Sequence, residues 1–322
     1  MDFNNKTVLV SGANGFLPSA LIFRLLQSGA NIIALCRNRQ RAEERFQAVI
    51  DNSKFKMIIQ DVCEPVNLTS TIDYAIHGAS PAGKESRHEY PVDTFNANLI
   101  GCKNLLELKP KRFMLISSVD VYGQIINKER FSEEDNGYLD LLNVRNAYSL
   151  GKRAAETLTV LYSAQYNIET VIARPFQVYG EGMVIGDGRL HGDFIQQIRN
   201  NNKIVLKSDG SAKRSFMYID DCIEGLLTVL QKGENKNSYN VVDEKSEATV
   251  FELAKLYADC LNIPIEFDYE QRNSIEVTEA LPCVLGSSEK LRSLGWQAKI
   301  NLKDGVKKTI NSFLPERECY VS

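Results

Sequence analysis

The chain has 322 residues, 38 of them basic and 41 acidic, and its formal net charge is −3 at pH 7. This near balance excludes the basic surface of a nucleic-acid-binding protein and the polybasic segment of a membrane anchor. Seven cysteines without a Cys-x-x-Cys pair and three scattered histidines give no pattern for a metal site. We therefore expect reduced thiols in a cytoplasmic protein that binds no metal.

The amino-terminal segment has the pattern of a dinucleotide-binding unit. Residues 7–10 and 31–35 predict two buried strands, and residues 20–26 predict a helix between them. In the turn before this helix, Gly12 permits a tight bend and Gly15 lets the backbone approach a pyrophosphate. The turn residues that we expect to contact the cofactor are Gly12, Asn14, Gly15, Phe16 and Leu17.

The end of the second strand bears on the choice of nicotinamide cofactor. A carboxylate there would accept a hydrogen bond from the ribose 2′-OH of NAD. This chain has Cys36-Arg37-Asn38-Arg39 instead, followed by a predicted helix over residues 42–49. Basic residues suit a 2′-phosphate, so Arg37 favours NADP as the cofactor. The alternative is NAD held by backbone contacts beside a solvated basic loop.

Two further strands, residues 55–60 and 72–77, continue the alternation of strands and helices. Small residues follow the second of these strands, and they would let the backbone approach a cofactor closely. We therefore expect Ala79 and Ser80 to contact the cofactor. His77, at the end of the same strand, is expected to be a hydrogen-bonded core residue.

The centre of the chain carries a candidate reaction centre. The apolar run 113–116 predicts a buried strand that ends at Ser117-Ser118. Tyr148 and Lys152 lie one turn apart on one face of the next predicted helix. The lysine ammonium would lower the pKa of the tyrosine, and the Ser118 hydroxyl can share a hydrogen bond with the phenol. Such a set can remove a proton from an alcohol while hydride leaves the same carbon.

The order of these motifs resembles that of the extended short-chain dehydrogenase/reductase family, in particular its nucleotide-sugar epimerases, dehydratases and decarboxylases. The motifs are the glycine-rich turn, the strand ending in Ser-Ser, Val-Tyr-Gly at residues 121–123 and the Tyr-x-x-x-Lys helix. Pro18 stands where the family has its third turn glycine, which puts close packing of helix on strand in doubt at that point.

The resemblance also implies a set of ligand contacts. Asp61 and Val62 would lie against the adenine of NADP or NAD. Gln177 stands where the family has an Asn that contacts the sugar diphosphate, and Arg214 would bind the phosphates. Ser118 would contact the sugar, so the implied substrate is a nucleoside-diphosphate sugar.

The alternating pattern predicts an α/β fold with two domains. A doubly wound parallel-sheet Rossmann domain is expected over residues 1–176, and a smaller α/β substrate domain over residues 177–322. Part of the segment 204–232 is expected to pack back on the first domain, and the cleft between the domains is the expected ligand site. The resemblance further implies a homodimer formed through the helices at 91–108 and 148–166.

The predicted catalytic residues are Ser118, Asp120, Tyr148 and Lys152. Tyr148 would take the proton of the sugar C4-OH while hydride moves to the nicotinamide, and the resulting 4-keto sugar permits a second step. The family's 4,6-dehydratases have an Asp-Glu pair at positions 119 and 120, and its decarboxylases have a hydroxyl residue and Glu. Val119 cannot donate a proton, so we expect C4 epimerisation.

Several alternatives stay open at this point. The second step could be that of a nucleotide-sugar decarboxylase or a 4,6-dehydratase, or the protein could be a reductase that consumes NADPH on a 4-keto sugar. A non-catalytic dinucleotide sensor would not need the Ser-Tyr-Lys set, which this chain has. Asp120 is either a base or a structural carboxylate that caps a backbone N–H.

Overall fold

The computed structural model of the protein describes residues 2–81, 89–125, 128–268, 283–317 and 319. The strands are β1 (Thr7–Ser11), β2 (Asn31–Cys36), β3 (Phe55–Ile59), β4 (Tyr74–His77), β5 (Arg112–Ile116), β6 (Arg130–Phe131), β7 (Glu169–Pro175), β8 (Gln177–Tyr179), β9 (Ile204–Leu206), β10 (Lys213–Tyr218), β11 (Asn237–Val241), β12 (Glu247–Thr249), β13 (Ile265–Phe267) and β14 (Cys283–Gly286). The helices are α1 (Phe16–Gln27), α2 (Arg39–Phe46), α3 (Pro91–Glu107), α4 (Ala147–Tyr166), α5 (Leu190–Asn201), α6 (Ile219–Lys232), α7 (Val250–Leu261), α8 (Glu289–Ser293) and α9 (Leu302–Phe313). Short 3₁₀ turns cover Val119–Tyr122 and Val144–Asn146.

The main sheet has the predicted doubly wound topology. Among the described residues, seven parallel strands form it in the order β11-β7-β5-β4-β1-β2-β3. The chain builds outward from β1 through β2 and β3, then returns to the other side of β1 with β4 and β5. The predicted fold class is therefore confirmed. In sheets of this kind, ligands bind outside the carboxyl ends of the strands where the winding reverses, here between β1 and β4.

Strand β1 shows why its sequence is a continuous apolar run. Val8 and Val10 belong to the core on the α1 side of the sheet, together with Leu21 of that helix. Leu9 belongs to the core on the opposite side, together with Leu105 of α3. All of these side chains have no exposed surface. A strand with helices on both faces must be apolar at every position, whereas a half-exposed strand would alternate.

Strands β8, β10, β12 and β14 build a smaller sheet beside the main one, together with the short β6 from the first half of the chain. Its order is β12-β10-β14-β6, and β8 also pairs with β10. Since β8 begins two residues after β7 ends, this sheet starts at the carboxyl edge of the main sheet. The chain then returns to the main sheet, because α6 packs against α1 and β11 pairs with β7. Strands β9 and β13 form a separate parallel pair.

Helix α2 is displaced from its predicted position. It begins at Arg39 and ends at Phe46, three residues before the limits of 42–49 that the periodicity suggested. The cause is local, because the Asn38 side chain accepts a hydrogen bond from the Arg41 N–H at 2.9 Å and caps the helix one turn earlier.

The cysteines depart from expectation at one pair. Cys260 of α7 and Cys319 form a disulfide, with Cα atoms 4.7 Å apart, so the expectation that every thiol is reduced is wrong for these two. The other cysteines, Cys36, Cys63, Cys102, Cys222 and Cys283, are free.

Within the described ranges, no helix is both long and apolar enough to cross a bilayer.

Candidate active site

The glycine-rich turn between β1 and α1 forms the floor of a groove. Gly12 has a φ of +63°, and a Cβ there would lie 2.5 Å from the Cα of Ala79 in the loop after β4. Only glycine lets these two loops approach so closely. Gly15 is the N-cap of α1 and has no side chain that could accept a capping hydrogen bond. The first N–H groups of α1, at Phe16 and Leu17, have no partner within the helix and suit an anion.

Pro18 resolves the doubt raised by the missing third glycine of the turn. Its side chain is buried in the first turn of α1, where a proline costs no helical hydrogen bond. A Cβ at Gly78 would lie 2.6 Å from the Pro18 Cγ. The space for close packing, which the family obtains from a glycine at the position of Pro18, is therefore obtained here from Gly78. The helix therefore packs closely on the sheet despite the proline.

The groove has a volume of about 850 Å³ and extends from this turn to the ends of β2 and β3. Eight of the predicted cofactor residues line it: Gly12, Asn14, Gly15, Arg37, Asp61, Val62, Ala79 and Ser80. The motifs did not single out other residues that line it, which include Leu35, Arg41, Glu44, Arg45, Gln60, Ala97 and Val184. A long groove that includes the glycine turn and the N-cap of α1 fits a dinucleotide.

Basic side chains collect at the β2–β3 end of the groove. The Arg37 Nη1 atom lies 3.7 Å from the Asp61 Oδ2 atom, and the other Asp61 oxygen accepts a hydrogen bond from the Cys63 N–H. Arg41 and Arg45 of α2 line the same end. Arg45 also donates a hydrogen bond of 2.9 Å to the Gly182 carbonyl, and so links α2 to the segment after β8.

The Tyr-Lys pair lies at the carboxyl end of β5. Tyr148 and Lys152 both belong to α4, and both are buried, with exposed fractions of 7% and 2%. The Lys152 Nζ atom donates a 2.6 Å hydrogen bond to the carbonyl of Ile116, the last residue of β5, and lies 5.9 Å from the centre of the Tyr148 ring. The helix and the strand end are thus held together at the ammonium group.

Ser118 and Asp120 lie in the 3₁₀ turn that follows the same strand. The Ser118 hydroxyl accepts a 3.2 Å hydrogen bond from the Asp120 N–H, so the serine is the residue that caps this turn. Both side chains are half-buried, whereas Val119 between them is buried. The structure therefore places all four of the predicted catalytic positions around the carboxyl end of β5.

His77 matches its expected role in the core. It has no exposed surface, and its Nδ1 atom is 2.8 Å from the Ser11 hydroxyl. Burial, with a smaller contribution from the positive charge of Lys152, lowers the pKa of His77 to about 3. The imidazole is therefore neutral at working pH and adds no charge to the reaction centre.

Two of the predicted substrate residues, Gln177 and Arg214, lie in the smaller sheet. Gln177 of β8 pairs in register with Phe216 of β10 and lines a small cavity with Arg189 of the segment before α5. Arg214 also lies in β10, and burial lowers the pKa of its guanidinium. The negative charge of Asp120 opposes that shift, so Arg214 is within electrostatic reach of the turn after β5.

Sequence patterns did not reveal a polar network behind Ser118. Glu156 of α4 accepts hydrogen bonds from Ser117 and from Arg174 of β7. The only signal in the sequence was that Glu156 lies one turn beyond Lys152 on the same face of the helix.

Among the described residues, no group of three or more His, Cys, Asp or Glu side chains could hold a metal ion.

The chain matches the model of the NAD dependent epimerase/dehydratase family over residues 8–242. A similar protein is UDP-glucuronic acid decarboxylase 4 of Arabidopsis thaliana, 32% identical over 309 residues that cover 95% of this chain and 68% of the relative. UDP-glucuronic acid decarboxylase 1 of Danio rerio is 29% identical over 325 residues, which cover 98% of this chain and 74% of the relative.

Solved structures share the fold at lower identity. The UDP-glucuronic acid 4-epimerase from Bacillus cereus, in complex with UDP-glucuronic acid and NAD, has a TM-score of 0.81 and 22% identity, with 96% of this chain and 99% of that one covered. The dTDP-glucose 4,6-dehydratase from Bacillus anthracis, in complex with NAD, has a TM-score of 0.81 and 20% identity, with 96% of each chain covered. These matches confirm the resemblance inferred from the motifs, and the chain belongs to the NAD-dependent epimerase/dehydratase family of extended short-chain dehydrogenases/reductases.

Proposed function

We propose that the protein oxidises the C4 hydroxyl of a nucleoside-diphosphate sugar and later reduces the transient 4-keto sugar again. The observation that carries this proposal is the buried Tyr148–Lys152 pair at the carboxyl end of β5. This strand pairs with β4, and the loop after β4 lines the dinucleotide groove. The ammonium of Lys152 would favour the phenolate of Tyr148, which would take the proton from the C4-OH. The Ser118 hydroxyl would hold the sugar hydroxyl near the phenol. A nicotinamide cofactor in the groove would accept the hydride from C4 and give it back.

The two residues proposed to hold the diphosphate come from the smaller sheet. Arg214 offers a charged donor that is partly buried, and a guanidinium fork suits two phosphate oxygens. Gln177 offers an amide at the start of β8, close to the carboxyl edge of the main sheet. A substrate held by both would lie between the two sheets, with its sugar towards Tyr148.

We propose NADP as the preferred cofactor, with NAD as the alternative. Arg37 and Arg41 both line the adenosine end of the groove, and two cations can bind a 2′-phosphate. The ion pair between Arg37 and Asp61 weakens this argument, because the carboxylate already neutralises part of the charge. The solved neighbours named above are complexes with NAD. Equilibrium titration of the cofactor-free protein with both dinucleotides decides the question.

For the second step we propose C4 epimerisation. Val119 is apolar and buried, so it has no proton to give to a departing hydroxyl as a dehydratase would require. Epimerisation needs only that the 4-keto sugar turns over before the hydride returns to its other face. No bond to C5 or C6 breaks in this reaction.

Decarboxylation is the second candidate, and the similarity to UDP-glucuronic acid decarboxylases favours it. Oxidation of a uronic acid at C4 gives a β-keto acid, in which the C5–C6 bond breaks and its electron pair moves towards the ketone. A proton must then reach C5 before C4 is reduced. Asp120, which lies in the turn after β5, is the proposed donor for that proton.

We also propose a homodimer and keep the cytoplasmic location as a prediction. Helices α3 and α4 pack side by side and carry exposed apolar side chains at Val92, Ile100, Leu161 and Tyr166. A second copy of the same face would cover them, as expected of a symmetric interface. The cytoplasmic location was expected from reduced thiols, and the disulfide between Cys260 and Cys319 removes that argument for these two cysteines.

The function is tested by incubating the protein with NAD, NADP and a panel of UDP-, GDP-, CDP- and dTDP-sugars in heavy water. NMR and mass spectrometry then identify the products. An epimer of unchanged mass supports the first candidate, and loss of CO₂ from UDP-glucuronic acid supports the second. A 4-keto-6-deoxy product contradicts both. Net consumption of reduced cofactor with a 4-keto sugar would instead identify a reductase.

A further inference from the structure

A buried ion pair lies directly behind the proposed reaction centre. Glu156 of α4 and Arg174 of β7 each expose only 12% of their side-chain surface. Two hydrogen bonds join them, at 2.9 Å from Nε to Oε1 and at 2.7 Å from Nη2 to Oε2. This bidentate geometry fixes both side chains. Burial of such a pair carries a large desolvation cost, and packed apolar side chains often stabilise a fold equally well. Stability alone is therefore a weak reason for the pair.

The pair holds both ends of the turn that contains Ser118 and Asp120. At the start of the turn, the Ser117 hydroxyl donates a 2.6 Å hydrogen bond to the Glu156 Oε1 atom. At its end, the Arg174 Nη1 atom donates to the hydroxyl of Tyr122 at 3.1 Å, and the guanidinium lies 5.0 Å from the centre of that ring. A further hydrogen bond joins the Tyr122 hydroxyl to Asn240 of β11.

Successive turns of α4 therefore hold successive residues of the strand end. Lys152 donates to the carbonyl of Ile116, and Glu156, one turn later, accepts from the hydroxyl of Ser117. Tyr148 lies one turn before Lys152 on the same face of the helix. Two hydrogen bonds, one helical turn apart, thus connect the helix to the strand end.

We propose that Glu156 and Arg174 are positioning residues that act through Ser117 to fix Ser118 relative to Tyr148. The inference rests on the proposed hydride transfer at Tyr148. Neither residue touches substrate or cofactor in this scheme. Their effect is on geometry, and a displacement of about 1 Å at a reaction centre can cost about 100-fold in rate.

The test removes only the link between the pair and the strand end. Ser117→Ala leaves the Glu156–Arg174 pair intact, whereas Glu156→Gln would leave a buried guanidinium without its counter-charge and could be lost through misfolding. Ser163→Ala is the matched control, because Ser163 is also buried and its hydroxyl donates to Asn235 about four turns beyond Tyr148 on the same helix. Ser117→Thr restores the hydroxyl.

Turnover is measured with UDP-glucuronic acid as the probe and NAD or NADP as cofactor, and thermal midpoints are compared. We expect Ser117→Ala to reduce kcat by about 10–100-fold, with KM and the cofactor Kd changed by less than about twofold. Ser117→Thr should recover most of kcat, and Ser163→Ala should keep it while losing similar thermal stability. An unchanged kcat in Ser117→Ala, or equal losses in Ser117→Ala and Ser163→Ala, overturns the positioning role.

The outcome separates this inference from the proposed function. If Tyr148→Phe turns over normally, the hydride-transfer scheme is wrong whatever Ser117→Ala does. If Tyr148→Phe is inactive while Ser117→Ala behaves as wild type, only the positioning role is overturned. A rise in KM that accounts for the whole loss in kcat/KM would assign Ser117 to substrate binding instead, which also contradicts the proposal.

Discussion

Gly12→Ala should damage both the fold and the cofactor groove. Gly12 has a φ of +63°, and this left-handed conformation costs an L side chain about 1 kcal/mol. The new Cβ would also lie 2.5 Å from the Cα and 2.7 Å from the N of Ala79. These are backbone atoms of the loop after β4, so no side chain can rotate to relieve the contact. Overpacking of this kind costs about 1–3 kcal/mol. Together these terms lower the free energy of unfolding by about 2–4 kcal/mol.

Substitutions at two other glycines allow the conformational cost and the steric cost of Gly12→Ala to be measured separately. Gly29 has a φ of +80°, but the nearest atom to its added Cβ is the side-chain oxygen of Asn4, which can turn away. Gly29→Ala should therefore cost only the conformational term of about 1 kcal/mol. Gly15 has an ordinary φ of −69° and its Cβ would be 3.0 Å from the Gly12 carbonyl oxygen. Gly15→Ala should mainly hinder a pyrophosphate at the start of α1.

Urea unfolding of the cofactor-free variants measures the stability terms, and equilibrium titration with NAD and NADP measures binding. We expect Gly12→Ala to lose stability and affinity together, and Gly29→Ala to bind cofactor normally. Gly15→Ala should lose affinity with most of its stability kept. Equal free energies of unfolding for Gly12→Ala and Gly29→Ala would refute the reasoning, because the contact with Ala79 would then contribute nothing.

Further variants test the proposed roles of single side chains. Tyr148→Phe should reduce kcat by about 10²–10⁴-fold while cofactor and nucleotide still bind, which kinetics and titration check together. Arg37→Ala should weaken NADP binding and leave NAD binding nearly unchanged; an equal loss for both would place Arg37 against a part that the two cofactors share. Arg214→Ala should weaken the binding of UDP by about 1.5–3 kcal/mol, and an unchanged Kd by calorimetry would remove Arg214 from the diphosphate site.

Local patterns predicted the parts of this protein that are built from neighbours in sequence. The apolar run of β1, the turn at Gly12 and the helix after it follow from a short stretch whose physical requirements are narrow. The position of Lys152 relative to Tyr148 follows equally from helix geometry, since four residues make about one turn. The limits of α2 were misplaced because the hydrophobic period indicates the middle of a helix, whereas the Asn38 cap determines its start.

Contacts between distant parts of the chain could not be predicted in this way. The pairing of Cys260 with Cys319 joins residues 59 positions apart, and neither lies in a recognisable motif. Pro18 appeared to be a packing defect until the structure placed Gly78 against it. In each case the fold brings together two residues that are distant in sequence. The composition and the hydrophobic period of one segment do not show which residue of another segment it will contact.

Asp120 and Arg214 join the two halves of the proposed site. Asp120 follows β5 of the main sheet, and Arg214 belongs to β10 of the smaller one. The charge of the carboxylate counteracts part of the shift that burial imposes on the pKa of the guanidinium. In the proposed binding mode the diphosphate would lie at Arg214 and the sugar beside the turn that holds Asp120, so the two residues would act on one substrate from two different sheets.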